Sequence, residues 1–359
     1  MATAPLNLEA DVVELTRDIC DIESVSGNEK QLADAIEAAL QQYSHLEVIR
    51  DGDAIVARTN LSRAKRVVIA GHIDTVPVAN NLPIQMLSME REQVLYGRGT
   101  VDMKAGVAVQ LKLAATLSET NVDVTWVFYD HEEVEASLNG LGRIARNRPE
   151  LLESSFAVLC EPSNAQVEGG CNGTIRVEVR ARGVKAHSAR AWMGKNAVHG
   201  AAEILNRLNS YEPQSVEVDG LVYRESLNAV IIGGGIATNV IPDECVITVN
   251  YRFAPSKSAA DAEAHLREVF EGFEVVITDA AEGARPGLDR PEAIAFIEAT
   301  QTTPRPKYGW TDVARFSALG IPAINFGPGD PSKAHADDEN VPVSQIYACE
   351  TALRKWLTA

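Results

Sequence analysis

The spacing of apolar residues along the chain changes character near Thr174. Before that point, segments with helical periodicity alternate with short apolar runs that are typical of buried strands. The predicted helices lie at residues 8–22, 29–43 and 103–118, and the predicted strands at 66–70, 123–129 and 156–160. This alternation favours an α/β layer with a mostly parallel sheet.

From Thr174 onward the pattern is typical of an antiparallel sheet. Residues 174–182 alternate polar and apolar side chains with period two, as a half-exposed strand does. Further strands are predicted at 229–233, 244–253 and 274–278, and helices at 196–209 and 258–270. The α/β pattern then resumes at 291–300, 323–326 and 341–357. We therefore expect a discontinuous α/β domain, residues 1–173 and 284–359, and an inserted α+β domain, residues 174–283, with two helices on an antiparallel sheet.

Composition and charge narrow the class of protein. The 359 residues are 45% hydrophobic and 23% charged, as in ordinary globular enzymes, and the net charge of −17 argues against nucleic acid or an anionic membrane as a partner. The five cysteines have no CxxC spacing, which argues against a disulfide framework and a thiolate zinc site. The chain begins with a helical pattern instead of a signal peptide, and it has no apolar run of bilayer length. We therefore expect a cytoplasmic protein.

Imidazole and carboxylate side chains follow three of the predicted strands. His72 and Asp74 follow the strand at 66–70, Glu132 and Glu133 follow 123–129, and Glu161 follows 156–160. Each could be an ordinary polar strand end or a surface residue. Because ligand sites of α/β proteins form beyond the carboxyl ends of parallel strands, a shared site is favoured. In the first pair, one side chain can bind a metal ion while the other orients the imidazole.

Asp102 and His335 are further candidate ligands. Asp102 lies between a strand and a helix, and glycines on both sides of it permit close approach to another group. A helix N-cap is the alternative role for Asp102. His335 lies in the polar loop of residues 333–339, where an ordinary surface position is the alternative.

In this order, the motifs at residues 71–77, 97–106, 131–133 and 160–162 and the His335 loop resemble the aminoacylase and carboxypeptidase family of dizinc amidohydrolases. The resemblance covers essentially the whole chain. It implies a zinc-peptidase-like catalytic domain with a mostly parallel sheet, and an inserted dimerisation or lid domain. A homodimer is therefore expected.

The resemblance also implies roles for the candidate ligands. His72 and Glu161 would hold one metal ion, Glu133 and His335 would hold the other, and Asp102 would bridge the two. Glu132 would act as general base, and Asp74 would orient His72. Two divalent ions per subunit are expected, with zinc first and cobalt or manganese as alternatives.

Residues outside this set carry weaker expectations. The resemblance implies that His187 donates a hydrogen bond to the reaction oxyanion across a dimer interface, although the residue alone would be interpreted as an exposed loop histidine. Arg252 matches a position expected to bind a substrate carboxylate, with a surface arginine on an edge strand as the alternative. Asn239 and Thr311 match substrate-facing positions, and both could equally be turn residues.

The substrate is the least specific part of the resemblance. Within the family, the chain resembles members that hydrolyse the amide of N-succinyl-LL-2,6-diaminopimelate, and the resemblance therefore implies release of succinate and LL-2,6-diaminopimelate, a step toward lysine. Three features depart from common family patterns: His131 stands where Asp is more usual, Ala336 replaces a lysine, and residues 170–173 lack an arginine. The alternatives are N-acetylornithine deacetylase, aminoacylase or dipeptidase activity. A non-catalytic metal-binding scaffold is a further alternative, but it would not need to retain Glu132 as a free base.

Overall fold

The computed structural model describes residues 5–89 and 92–359. Its α-helices are α1 Val12–Cys20, α2 Lys30–Leu40, α3 Lys104–Thr116, α4 Gly140–Asn147, α5 Ala197–Asn209, α6 Ala259–Val269, α7 Pro291–Thr300, α8 Val313–Ala318 and α9 Val343–Thr358. Its strands are β1 Glu47–Asp51, β2 Ala54–Arg58, β3 Arg66–His72, β4 Gln85–Met89, β5 Glu92–Tyr96, β6 Asp123–Tyr129, β7 Phe156–Leu159, β8 Glu168–Gly169, β9 Gly173–Arg182, β10 Ala186–His187, β11 Ser215–Val218, β12 Leu221–Arg224, β13 Ser226–Gly234, β14 Val240–Ile241, β15 Glu244–Phe253, β16 Glu274–Ala281, β17 Arg305–Pro306, β18 Ala323–Asn325 and β19 Asn340–Pro342.

The chain folds into two compact units. The first comprises Met1–Gly169, Pro286–Arg305 and Thr311–Ala359, and the second comprises Gly170–Arg285 and Pro306–Trp310. The second unit thus includes a short segment, 306–310, that lies outside the predicted inserted domain, 174–283. The roles assigned to the two domains, catalysis and dimerisation, stay predictions.

The first unit is built on an eight-stranded sheet with the order β1-β2-β6-β3-β7-β18-β8-β17. The four central strands β6, β3, β7 and β18 are parallel, and β2 and β8 flank them in the antiparallel sense. Strand β6 is buried at every position, which explains its nearly continuous apolar sequence. The α/β fold with a mostly parallel sheet is therefore confirmed.

Helix α3 lies close to the centre of this sheet and is buried along most of its length. A Cβ atom at Gly106 would lie 2.3 Å from the carbonyl oxygen of Cys160, so only glycine permits this approach to the end of β7. The close packing brings the start of α3 next to the residues that follow β7.

The second unit contains a four-stranded antiparallel sheet with the order β13-β15-β9-β16. Strands β9 and β15 alternate buried and more accessible residues, as the period-two pattern predicted. Helices α5 and α6 pack on this sheet, where Ile204 and Leu266 join its apolar core. The predicted antiparallel sheet with two helices is confirmed.

Two features of the polypeptide bear on earlier expectations. All five cysteines are buried and free, so none of them forms a disulfide. Among the described helices, none combines the length and the apolar character needed to cross a bilayer.

Candidate metal centre

Side chains from five segments of the first unit converge beyond the carboxyl ends of its parallel strands. His72, Asp102 and Glu161 each offer a ligand atom, and these atoms lie within 4.8 Å of one another. The same holds for the group Asp102, Glu133 and His335 and for the group His72, Glu132 and Glu133. Asp102 thus belongs to two groups, one with His72 and Glu161 and the other with Glu133 and His335.

His72 is the last residue of β3, and its imidazole is buried. Nε2 lies 3.1 Å from Oδ1 of Asp102, and Nδ1 lies 3.0 Å from the carbonyl oxygen of Asp74. Burial disfavours the charged imidazole, but the contacts with Asp102 and Asp74 outweigh it and raise the pKa of His72 well above its usual value. The contacts of Nδ1 fix the ring so that Nε2 faces Asp102.

Asp74 is fully buried and connects two strand ends. Its Oδ1 accepts a hydrogen bond from the backbone N–H of Glu132, and its Oδ2 accepts from the backbone N–H of Glu133 and from Oγ of Ser26, at 3.0, 3.0 and 2.6 Å. Burial opposes the charge, but the contact with His72 and these donors lower the pKa of Asp74 to about 2. The carboxylate therefore holds the loop after β6 against the end of β3.

Asp102 lies two residues before the start of α3, between the two histidines. Its Oδ2 lies 3.3 Å from Nε2 of His335, while its Oδ1 faces His72. Burial opposes the charge of this carboxyl, but the hydrogen bonds with His335 and His72 hold its pKa well below the usual range. Asp102 is therefore an anion placed where it can contact two cations at once.

Glu133 and His335 form the more accessible side of the cluster. Nε2 of His335 lies 3.0 Å from Oε1 of Glu133. The hydrogen bonds with Asp102 and then with Glu133 raise the pKa of His335 to about 10. The histidine side chain is 54% exposed, so this side of the cluster is open to solvent.

Glu132 is surrounded by other carboxylates. Burial raises its pKa well above the usual value, and the negative charges of Asp312, Glu161 and Glu133 act in the same direction, against the influence of His72. Its immediate neighbour in the chain, Glu133, faces His335 instead. The two consecutive glutamates therefore occupy different surroundings and can serve different functions.

The donor atoms fit divalent metal ions. Imidazole nitrogens and carboxylate oxygens are ligands that zinc, cobalt and manganese all accept. Several carboxylates meet in a region where burial penalises their charged form, and a bound cation would offset that cost. We therefore identify this cluster as a candidate metal centre.

The predicted substrate-facing residues are divided between the two units. Thr311 belongs to the first unit, where it is buried and its hydroxyl donates to Oδ1 of Asn325 at 3.0 Å. Arg252 belongs to the second unit, and its Nε donates to Oδ1 of Asn250 at 3.2 Å. The function of both in substrate binding stays a prediction.

His187 and Asn239 also belong to the second unit, on adjacent segments. The backbone N–H of Ser188 donates to the carbonyl oxygen of Asn239 at 2.9 Å. The ring of His187 is exposed, and its Nδ1 accepts from the backbone N–H of Ala189 at 3.1 Å. The function of His187 as an oxyanion donor stays a prediction.

Two residues that support the candidate ligands were not predicted from the sequence. Ser26 and Glu339 both hydrogen-bond to groups of this cluster, and neither was singled out. Glu339 ends the polar loop that contains His335, so its place in that loop was the signal available. Ser26 lies in a turn far from the ligands in sequence, and no pattern marked it.

Comparison with known proteins identifies the family of the chain. Residues 68–359 match the model of peptidase family M20/M25/M40. The chain is 52% identical to a putative succinyl-diaminopimelate desuccinylase of Mycobacterium tuberculosis, over 98% of this chain and 99% of the relative. It is 46% identical to the succinyl-diaminopimelate desuccinylase of Corynebacterium glutamicum, over 98% of each chain.

Solved structures share the fold at low sequence identity. A tripeptidase from Staphylococcus aureus superposes with a TM-score of 0.80 at 20% identity, covering 99% of this chain and 98% of that one. A metallo-carboxypeptidase of the M20 family from Sulfolobus solfataricus superposes with a TM-score of 0.74 at 16% identity, covering 96% and 98%. Fold and sequence agree, and the chain belongs to peptidase family M20/M25/M40.

Proposed function

We propose that the chain is a metal-dependent amidohydrolase that cleaves the amide bond of N-succinyl-LL-2,6-diaminopimelate, releasing succinate and LL-2,6-diaminopimelate. The observation that carries this proposal is the pair of relatives, 52% and 46% identical over nearly their whole length, that bear the name of this activity. The convergent histidines and carboxylates supply a centre suited to that chemistry.

For the metal ions, we assign two sites that share Asp102. His72 and Glu161 would hold one ion, and Glu133 and His335 would hold the other. The support is that each of these groups lies within 4.8 Å of Asp102. Zinc is the first choice, with cobalt and manganese as alternatives. When bound, such ions polarise an amide carbonyl and lower the pKa of water.

Glu132 is assigned as the general base. Its carboxylate lies beside His72 and Glu133, and the bond from its backbone N–H to Asp74 holds its position. Glu132 takes a proton from the attacking water as the new C–O bond forms, and it delivers that proton to the nitrogen as the C–N bond breaks. Asp74 serves as a positioning residue for His72 and for this loop.

For the substrate, we assign Arg252, Asn239 and Thr311 to binding and His187 to the oxyanion. Arg252 is a cation suited to a substrate carboxylate, and its hydrogen bond to Asn250 leaves the remaining guanidinium donors for a ligand. His187 would act from the partner subunit of a homodimer.

The support for a homodimer is an apolar strand. Strand β13 is the outermost strand of its sheet, and it carries exposed Val230, Ile231 and Ile232. An exposed edge strand of this kind is suited to pairing with a second copy. Light scattering tests the proposal: twice the mass of the chain is expected, and an active monomer would contradict both the dimer and the role of His187.

The proposed activity is tested with purified, zinc-loaded protein. Hydrolysis of N-succinyl-LL-2,6-diaminopimelate is measured beside N-acetylornithine and a dipeptide, each with and without a chelator. Chelator-sensitive cleavage of the succinyl amide alone is the expected result. Preference for one of the other amides would keep the amidohydrolase and overturn the substrate, whereas no cleavage of any of them would favour a metal-binding scaffold.

A further inference from the structure

A buried ion pair connects the two loops that carry Asp102 and His335. Nη1 of Arg98 lies 2.8 Å from Oε2 of Glu339, and the two side chains are only 4% and 1% exposed. Arg98 lies four residues before Asp102, and Glu339 lies four residues after His335. Each member of the pair therefore comes from a loop that supplies one candidate ligand.

The second carboxylate oxygen of Glu339 binds the backbone at Asp102. Its Oε1 accepts hydrogen bonds from the N–H groups of Val101 and Asp102, at 2.8 and 3.1 Å. The backbone N–H of Gly97 also donates to the carbonyl oxygen of Glu339, at 2.9 Å. Glu339 thus fixes the peptide from which the Asp102 side chain projects.

Arg98 extends the same network in the other direction. Its Nη1 donates to the carbonyl oxygen of Ala336, the residue directly after His335, at 3.2 Å. Its Nε donates to the carbonyl oxygen of Pro77 at 3.1 Å, in the segment that follows His72. One guanidinium therefore joins the segments after His72 and after His335 to the loop of Asp102.

We propose that Glu339 and Arg98 are positioning residues that set the spacing between Asp102 and His335, and so determine how tightly the metal centre binds its ions. The hydrogen bonds described above connect the pair to the backbone next to Asp102 and to the backbone next to His335. Groups that orient metal ligands typically contribute about 10–100-fold to metal affinity. The inference rests on the metal roles proposed above for Asp102 and His335.

A stabilising role without effect on the metal is the alternative. Breaking a buried ion pair destabilises any fold, because the remaining charge stays buried without its partner. The second unit offers a matched control in Glu225, which is also buried, accepts from the backbone N–H of Ala254 at 2.9 Å and pairs with Lys257 at 2.8 Å. Glu225→Ala therefore removes a similar set of contacts among residues that all belong to the second unit.

The test compares the wild type with Glu339→Ala, Glu339→Gln, Arg98→Lys and Glu225→Ala. Three quantities are measured: the number of Co²⁺ ions bound, their affinity by competition with a chelator, and the visible absorption of the cobalt protein. Thermal unfolding of the metal-free proteins is recorded in parallel. Glu339→Gln keeps an oxygen that can accept from the N–H groups of Val101 and Asp102, so it serves as the conservative variant.

We expect Glu339→Ala to lower affinity for at least one cobalt ion by about 10–100-fold and to change the absorption spectrum. Glu339→Gln should recover part of the affinity, and Glu225→Ala should lower only thermal stability. Wild-type affinity and spectrum in Glu339→Ala would overturn the inference, as would an equal loss of affinity in Glu225→Ala.

Two further outcomes are decisive. If Glu339→Ala does not fold, Glu339→Gln and Arg98→Lys decide, and wild-type affinity and spectrum in both would overturn the inference. If the wild type itself binds no cobalt, the proposed metal centre fails, and the inference fails with it for that separate reason.

Discussion

Oδ2 of Asp74 lies 3.0 Å from the backbone nitrogen of Glu133, so a residue that follows β3 holds a residue that follows β6. Because β3 and β6 are adjacent and parallel, their carboxyl ends meet at the same edge of the sheet. The hydrogen bond turns this proximity into a fixed distance between the His72 segment and the paired glutamates.

Substitution of Asp74 should therefore affect more than one ligand. Asp74→Ala removes the acceptor for two backbone N–H groups and the carboxylate oxygen that lies 3.4 Å from Nδ1 of His72. We expect metal affinity to fall by about 10–100-fold, with a corresponding loss of turnover. Asp74→Asn keeps one acceptor oxygen, and its loss of metal affinity should be smaller. Ser26→Ala removes only the hydroxyl donor and is the control. Unchanged metal affinity in Asp74→Ala would contradict the positioning role.

Substitution of Glu132 should separate catalysis from metal binding. In Glu132→Gln we expect unchanged metal content and a fall in kcat of about 10²–10⁴-fold, because the amide cannot take up the proton. The exposed Glu135 lies in the same loop, and Glu135→Gln should leave both quantities unchanged. If Glu132→Gln loses metal in proportion to activity, Glu132 is a ligand and not the base.

Removal of metal should lower the stability of the folded chain as well as its activity. A ligand that binds only the folded state adds about 2.7 kcal/mol when its free concentration is a hundred times Kd. The temperature of thermal unfolding should therefore be higher in the presence of zinc than in the presence of a chelator. His335→Ala should reduce this difference in unfolding temperature. His199→Ala, a substitution of an exposed histidine, should retain it. Equal midpoints with and without zinc would argue against a metal site in the folded protein.

Asp123 provides a prediction that does not depend on the metal centre. It begins β6, and its carboxylate accepts from the N–H groups of Leu61 and Arg63, at 2.7 and 2.9 Å, and from the hydroxyl of Thr59 at 3.0 Å. Burial opposes the charge, but these donors lower the pKa of Asp123 below its usual value of 3.8. We expect Asp123→Asn to lower the free energy of unfolding by about 1–3 kcal/mol at pH 7.

The sign of the pH effect follows from the direction of this pKa shift. A carboxyl whose pKa is lower in the folded state stabilises the fold above the unfolded pKa, and the stabilisation is lost as pH falls through the folded pKa. Chemical denaturation should therefore give a constant difference between Asp123→Asn and wild type from pH 7 to about 5, and a smaller one below pH 4. Asp289→Asn, at an exposed carboxyl, is the control. A difference that does not change with pH would contradict the assigned charge.

The elements whose burial repeats regularly could be predicted from the sequence. Strand β15 was predicted at residues 244–253 and has those bounds, because every second side chain enters the core of the second unit. Strand β6 also has its predicted bounds, since every position is buried and most of its residues are apolar. The periodicity of apolar residues follows directly from burial, so elements of this kind can be predicted without a structure.

The strands that were not predicted from the sequence form by pairing at the edges of the sheets. The hairpin of β1 and β2 was not predicted, although Gly52 and Asp53 form a two-residue connection and Gly52 has a φ of 63°. The turn residues were the available signal. Strand β19 has only three residues and pairs with β5, a partner far away in sequence, so no local pattern identifies it.

The candidate ligands were predicted through the order of their motifs, whereas the contacts around them were not. Asp102 and His335 are separated by more than 230 residues, and only the structure brings them to 3.3 Å. The ion pair of Arg98 and Glu339 could not be inferred, because charged residues in loops are usually exposed and nothing local indicates that both are buried.

The position of β18 has a consequence for synthesis on the ribosome. This strand lies between β7 and β8, yet it is made only after the whole segment Gly170–Arg285 has been translated. A nascent chain therefore presents nearly all of the second unit before the first unit has the strand that separates β7 from β8. Until then β7 has an open edge, and the His335 segment does not yet exist. The proposed site of Glu133 and His335 is thus completed only after residue 335 has been translated, and a product that terminates before β18 has a sheet with a vacant position that another strand can fill.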